Sequence, residues 1–215
     1  ANAYRSIFSS VGTPGTTPGT SLVLLQAQQK LNEYAAPMSP RYATVNPAAN
    51  ASLVEGMKGF FNPTGTISRQ FKSGMMGEGV LGYDEVNMSQ SILNHTTGTR
   101  SATATLTVAT TITAQGTSAI AVNGDTGSAT MVVGDVFTVA GVYSVNPQTR
   151  QSTGSLQQFV VTATATASSG NWASISVSPP IYTSAHALAS VDAFPASNAA
   201  VTVLGAASTG YAQNL

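Results

Sequence analysis

No cysteine occurs in this chain. Disulfides, thiolate nucleophiles and Cys-based zinc sites are excluded, and the redox compartment cannot be read from thiol usage. Charge is nearly as scarce. Eight basic and eight acidic residues make up 7% of the 215, against roughly 25% in an average soluble domain, and formal net charge is zero. A protein that grips nucleic acid by its backbone normally carries a basic stripe. None is present; Arg69 and Lys72 could stand one turn apart on a short helix, but two cations read as a solvated face. Long apolar runs are missing too. Residues 22–25 are broken at once by Gln26, Gln28, Gln29 and Lys30, far short of the ~18–20 residues of a spanning helix. No basic–apolar–small leader pattern opens the chain. It begins with Ala1 rather than Met, as a processed chain or a fragment would.

Hydrophobic residues reach 42%, enough for a core, and the length allows one large domain or two small ones. The charges are unevenly spread. Beyond Arg100 only Asp125, Asp135, Arg150 and Asp192 remain, in a stretch of alternating Thr, Ala, Val and Ser.

The first hundred residues read as α+β. Tyr4, Ile7 and Phe8 at i, i+3, i+4 predict a helix over 2–9. Two Pro-Gly pairs between Gly12 and Gly19 predict tight turns. Thr20 or Ser21 caps a helix running to about Ala35, with Leu24, Ala27, Leu31 and Tyr34 on one face, and Pro37 and Pro40 end it. Residues 41–45 read as a strand. Asn46-Pro47 starts a helix over 47–58 that buries Leu53, Val54 and Met57. An aromatic turn at 60–65, a short helix near 68–73, a glycine-punctuated loop from Gly74 to Gly82 and a strand over 83–88 follow. This is a thin core for a hundred residues, so further chain before Ala1 or after Leu215 is expected to complete it.

After Arg100 the period becomes two. Strands are expected at 102–108, 119–122, 136–140 continuing through 142–145, 156–166, 172–177 and 199–204. Asn123-Gly124-Asp125 and residues 168–171 are turn signals, 146–155 is a polar loop, and Pro179-Pro180 stops a strand. Six strands predict a small barrel or sandwich. Its expected core is Leu106, Val108, Ile120, Val136, Phe137, Val139, Phe159, Val161, Ile175, Val177, Val201 and Val203.

Candidate chemistry is sparse. His95 and His186 sit in polar contexts, where a lone loop histidine is usually just solvated. Asp84 and Glu85 point to opposite faces of a strand. Asp135, after Gly134, reads as a turn closure. Neither glycine-rich stretch matches a phosphate loop or dinucleotide fingerprint. The sequons at Asn50, Asn87 and Asn94 lack a secretory context. Trp172 and the tyrosines read as packing rather than as a sugar or base platform. General acid–base work needs paired titratable groups in one cleft, so no catalytic, cofactor-binding or metal residue is assigned, and the chain is not read as an enzyme.

The run from Arg41-Tyr-Ala-Thr-Val-Asn-Pro-Ala-Ala-Asn50 through Gly56-Met57-Lys58-Gly-Phe-Phe61 resembles the major capsid (coat) protein of tailed double-stranded DNA phages, in the short-tailed branch with an inserted β domain. Asn46-Pro47, the 67–73 region, Gly82-Tyr83-Asp84, Gly134-Asp135-Val-Phe-Thr-Val-Ala-Gly-Val142, Gln158-Phe159-Val160-Val161, Val177-Ser178-Pro179-Pro180 and Asn198-Ala-Ala-Val-Thr-Val203 occur in the order that the family shows. The resemblance spans about residues 20–205 and rests on order and spacing rather than on one motif. It implies an HK-97-like phage capsid fold, an α+β axial domain interrupted by a six-stranded antiparallel β-barrel insertion domain. Residues 1–97 would be axial, 98–205 the insertion, and 206–215 the return.

The family's N-terminal arm, extended β loop, spine helix and peripheral domain are not evident, which implies a fragment of a longer coat protein. The implied partners are copies of itself in pentamers and hexamers, with scaffolding and portal proteins, in a virion assembled in the bacterial host cytoplasm. No membrane, no sequence-specific nucleic acid and no cofactor are implied. The other readings are a tail, fibre or surface β module, suggested by 101–204 alone, and a hydrolase, which would need Asp84, Glu85 or Asp135 to converge.

A surface this poor in charge has weak protection against association. The complete chain is expected to sediment as more than a monomer at high concentration; a strictly monomeric boundary would contradict this.

Overall fold

The computed structural model describes residues 10–57, 73–74 and 76–212. The expected helix at 2–9, the turn at 60–65 and, apart from Ser73, the helix at 68–73 with Arg69 and Lys72 lie outside them. The chain divides into two compact units. One holds Val11–His95 and the chain from Gly210; the other holds Thr96–Thr209 together with Ser10.

In the first unit, α1 (Ser21–Glu33) follows Thr20 at the cap position, although the Thr20 side chain makes no capping bond. Its face is narrower than expected: Leu24 is buried, while Leu31 is exposed. β1 (Tyr42–Val45) alternates, turning Ala43 and Val45 inward. Asn46 caps α2 (Pro47–Gly56), its Oδ1 accepting the Ala49 N–H at 2.8 Å, with Pro47 in the first turn where its missing N–H costs no helix bond. β2 (Gly77–Val80) corrects the expected glycine loop. Left-handed φ at Leu81 and Gly82 makes a two-residue turn by which β2 pairs antiparallel with β3 (Tyr83–Met88). β1 pairs with β3 in parallel, Ala43 opposite Val86. Leu24, Ala43, Val45, Ala49, Leu53, Met76, Tyr83 and Val86 form this unit's core.

β4 (Asn94–Thr96) leads out of the first unit, and β13 (Gly210–Ala212), paired with it, leads back. Between them lie β5 (Thr107–Val108), β6 (Thr117–Asn123), β7 (Thr130–Met131), β8 (Val136–Val145), β9 (Ser152–Val161), β10 (Ala165–Thr166), β11 (Trp172–Ile181) and β12 (Val201–Val203). Six form one sheet in the order β12-β8-β9-β11-β6-β5, with β7 and β10 as a separate pair. The two ends of that sheet meet. Val108 N–H donates to Ala199 O at 2.9 Å, Val201 N–H to Leu106 O at 2.9 Å, and Asn198 N–H to Val108 O at 2.8 Å. The result is a nearly closed six-stranded antiparallel barrel within a mixed α/β chain that is mostly β.

Period-two alternation fills the barrel. Ten of the twelve expected core residues are buried; Val136 and Val203 are half-buried. The core also takes Met131, Val142, Trp172, Ile181 and Val191. Phe137 and Phe159 are direct cross-strand partners, ring centroids 5.9 Å apart and tilted by 34°, a favourable aromatic arrangement.

Several strand limits differ from expectation. Only 107–108 of the 102–108 run is strand. Ser101 and Thr103 hydroxyls bond each other at 3.2 Å, and Ala104 N–H reaches Ser101 O, a local turn that competes with the ladder. β9 starts at Ser152, inside the expected polar loop, and ends at Val161. Ala163 is exposed, and Ala165 pairs instead with Met131 of β7. The prolines do not stop β11. Its pairing with β6 is interrupted between Ser176 and Ile181, where proline has no N–H to give, and resumes at Ile181. Gly141, with φ of 78°, accommodates a register shift in β8, which continues to Val145 as expected.

Phe159→Ala should open a cavity in this barrel and lower stability by about 3–5 kcal/mol, read as a shifted denaturation midpoint. A loss below about 1 kcal/mol would contradict the packing.

Candidate functional site

The sequence-selected residues are engaged separately. His186 stacks on Tyr182 with centroids 4.4 Å apart, and its Nδ1 accepts the Leu188 N–H at 3.1 Å. His95 lies in β4. On β3, Asp84 is exposed and accepts the Arg41 N–H at 2.6 Å, with Ser39 Oγ at 3.4 Å; Glu85 is half-buried. Asp135 belongs to the barrel unit. Trp172 is core, its Nε1 donating to Ala165 O at 3.3 Å. The Asn50 sequon is folded away, with Asn50 buried and its Nδ2 donating to Gly74 O at 2.7 Å. Among the described residues, no three His, Asp or Glu side chains are placed to hold a metal ion, and no helix is long and apolar enough to cross a membrane.

One polar constellation does converge, where the chain enters and leaves the barrel. Asp135 Oδ2 accepts the Val132 N–H at 2.9 Å, closing the turn that the sequence predicts, and also the Gly98 N–H at 3.2 Å. The Arg100 guanidinium stands 3.9 Å from the same oxygen, with the Asp135 side chain fully buried. Arg100 also donates to Gly205 O at 3.1 Å on the outgoing segment. Thr97 Oγ1 donates to Ala206 O at 2.6 Å, Thr97 N–H to Thr209 O at 3.1 Å, and Ser208 N–H to Gly98 O at 3.1 Å. Thr99 fastens the incoming segment to β7, its carbonyl accepting the Thr130 N–H at 2.8 Å. Gly98 is required there because a Cβ would strike the Thr130 carbonyl. A shallow depression beside this cluster is lined by Thr99, Arg100, Ser101, Thr126, Ser128 and Ala129. The chemistry is that of a structural clamp: neutral and charge-assisted hydrogen bonds around one buried ion pair.

No protein-family profile matches the chain, and no curated protein matches it. Among solved structures it is similar to the CUS-3 coat protein I-domain. Sequence identity is 30%, the match covers 48% of this chain and 98% of that one, and the TM-score is 0.35.

Sequence reasoning missed Arg41 as well as the clamp. Arg41 is buried, and its guanidinium donates to Pro37 O at 2.7 Å, Asn32 Oδ1 at 2.8 Å and Ala36 O at 3.0 Å, tying the end of α1 to β1. The only sequence signal was a lone cation at a strand start. Next to it, burial pushes the Tyr83 phenol above its ordinary 10.0 while the Arg41 charge pulls it down. Lys30 is shifted the other way, its ammonium lowered by burial and partly restored by Glu33.

A raised phenol favours the protonated folded state. Its contribution is fully present below the unfolded value near 10 and is lost as pH rises through the folded value. Lys30 acts in the opposite sense, so the difference between wild type and Tyr83→Phe isolates the phenol. Stability measured between about pH 9 and pH 11 should fall less steeply in Tyr83→Phe; identical slopes would contradict the assignment.

Proposed function

We propose that this chain is a structural subunit of a tailed-phage shell, part of a major capsid protein that self-assembles around the packaged genome. The observation that carries the reading is the interrupted topology. One α+β unit is left at His95 and rejoined at Gly210, with a nearly closed six-stranded barrel between. That arrangement, together with the order of motifs from Asn46-Pro47 to Asn198–Val203, is what an axial domain with an inserted barrel requires.

Composition and surface support association. Charge is sparse, and in the Val11–His95 unit Met38 is 75% exposed, Tyr42 62%, Leu22 57% and Leu93 52%. In the proposed role the α+β unit clusters with its copies in pentamers and hexamers. The barrel decorates the shell or braces neighbours. Scaffolding and portal proteins are the further partners, and no catalytic step is assigned. A tail or fibre module would account for the barrel but leaves the α+β unit without a role.

The complete coat chain, co-expressed with its scaffolding partner, should form capsomers or shells visible by electron microscopy. A complete chain that stays monomeric under those conditions would overturn the proposal.

A further inference from the structure

The incoming and outgoing segments differ from the barrel in what holds them. Residues 97–100 are Thr, Gly, Thr and Arg; residues 205–209 are Gly, Ala, Ala, Ser and Thr. Neither offers a large apolar side chain. The barrel is held by a continuous core from Leu106 to Val201, including Phe137, Phe159 and Trp172. The two segments are held by hydrogen bonds and by the Arg100–Asp135 pair. Hydrogen bonds contribute modestly per bond, whereas a buried core is lost only when the whole barrel opens.

We infer that the Asp135 cluster is a latch that releases both crossing segments while the barrel stays folded. Asp135 is the keystone. Its one oxygen holds Gly98 of the incoming segment and faces Arg100, and Arg100 in turn holds Gly205 of the outgoing one. Losing the carboxylate loosens both sides together. Each crossing would then gain roughly 13–17 Å of free chain, at about 3.3 Å per residue. The latch thus sets the length of the two tethers through which the barrel is joined to the rest of the chain. It acts in this way whether or not the chain builds a shell.

Hydrogen exchange on the full chain, compared with Asp135→Asn, tests this. Amides of 97–100 and 205–209 should exchange about tenfold faster or more in the variant. Those of β8, β9 and β11 should stay better protected than either segment in both proteins. Segments as well protected as the barrel strands in the wild type, or no acceleration of the two segments in the variant, would overturn the inference. If Asp135→Asn does not fold, Thr97→Val decides. It removes the bonds of Thr97 Oγ1 to Ala206 O and from Thr209 N–H without touching the carboxylate, and the same two segments should exchange about three- to tenfold faster while staying less protected than the barrel strands. Unchanged segments in that variant would also overturn it.

Discussion

Both passages of the chain between its two units run through the neighbourhood of one buried carboxylate. Asp135 sits at the start of β8, accepts N–H groups from its own turn and from Gly98, and faces Arg100, which holds Gly205. A buried charge of this kind is tolerable only when partnered and hydrogen-bonded, and removing one member leaves the other stranded at a cost of several kcal/mol. The composition of the segments follows. Gly98 is small because the Thr130 carbonyl occupies the space of a side chain, and Thr97 and Thr99 supply hydroxyls that bond Ala206 O and Thr130 Oγ1.

Much of the barrel was legible because alternation is a local property. Phe137, Val139, Phe159 and Val161 face inward as their spacing requires. Helix α2 was legible because Asn46 and Pro47 each have a single good position at a helix start. What failed depended on partners. Residues 102–106 alternate as a strand should, yet the Thr103 hydroxyl bonds Ser101 Oγ and the Ala104 N–H reaches Ser101 O. Residues 77–80, glycine or charged apart from Val80, become a strand only because β3 lies alongside. Pro179 and Pro180 stay within β11 because the ladder there skips the missing donors.

The converging polar site was half legible. Gly134-Asp135 announced a turn, and the Asp does close it. Nothing local announces that Gly98, Arg100 and Gly205 meet at the same place, since the contact joins residues more than a hundred positions apart. The drop in charge density at Arg100 marked the place without revealing its function. Arg41 was hidden for a similar reason: two of its acceptors are backbone carbonyls just beyond a helix end, groups that every sequence possesses.

Closure of the sheet changes what sparse charge means. An open β-sheet with few charged residues invites further strands, and natural proteins usually guard such edges with lysine, proline or bulges. Here the edge strands β5 and β12 bond one another, so neither presents a free row of backbone donors to a passing chain. The nearly uncharged, Thr- and Ser-rich barrel is thereby left without a free strand at either end of its six-stranded sheet to template further pairing.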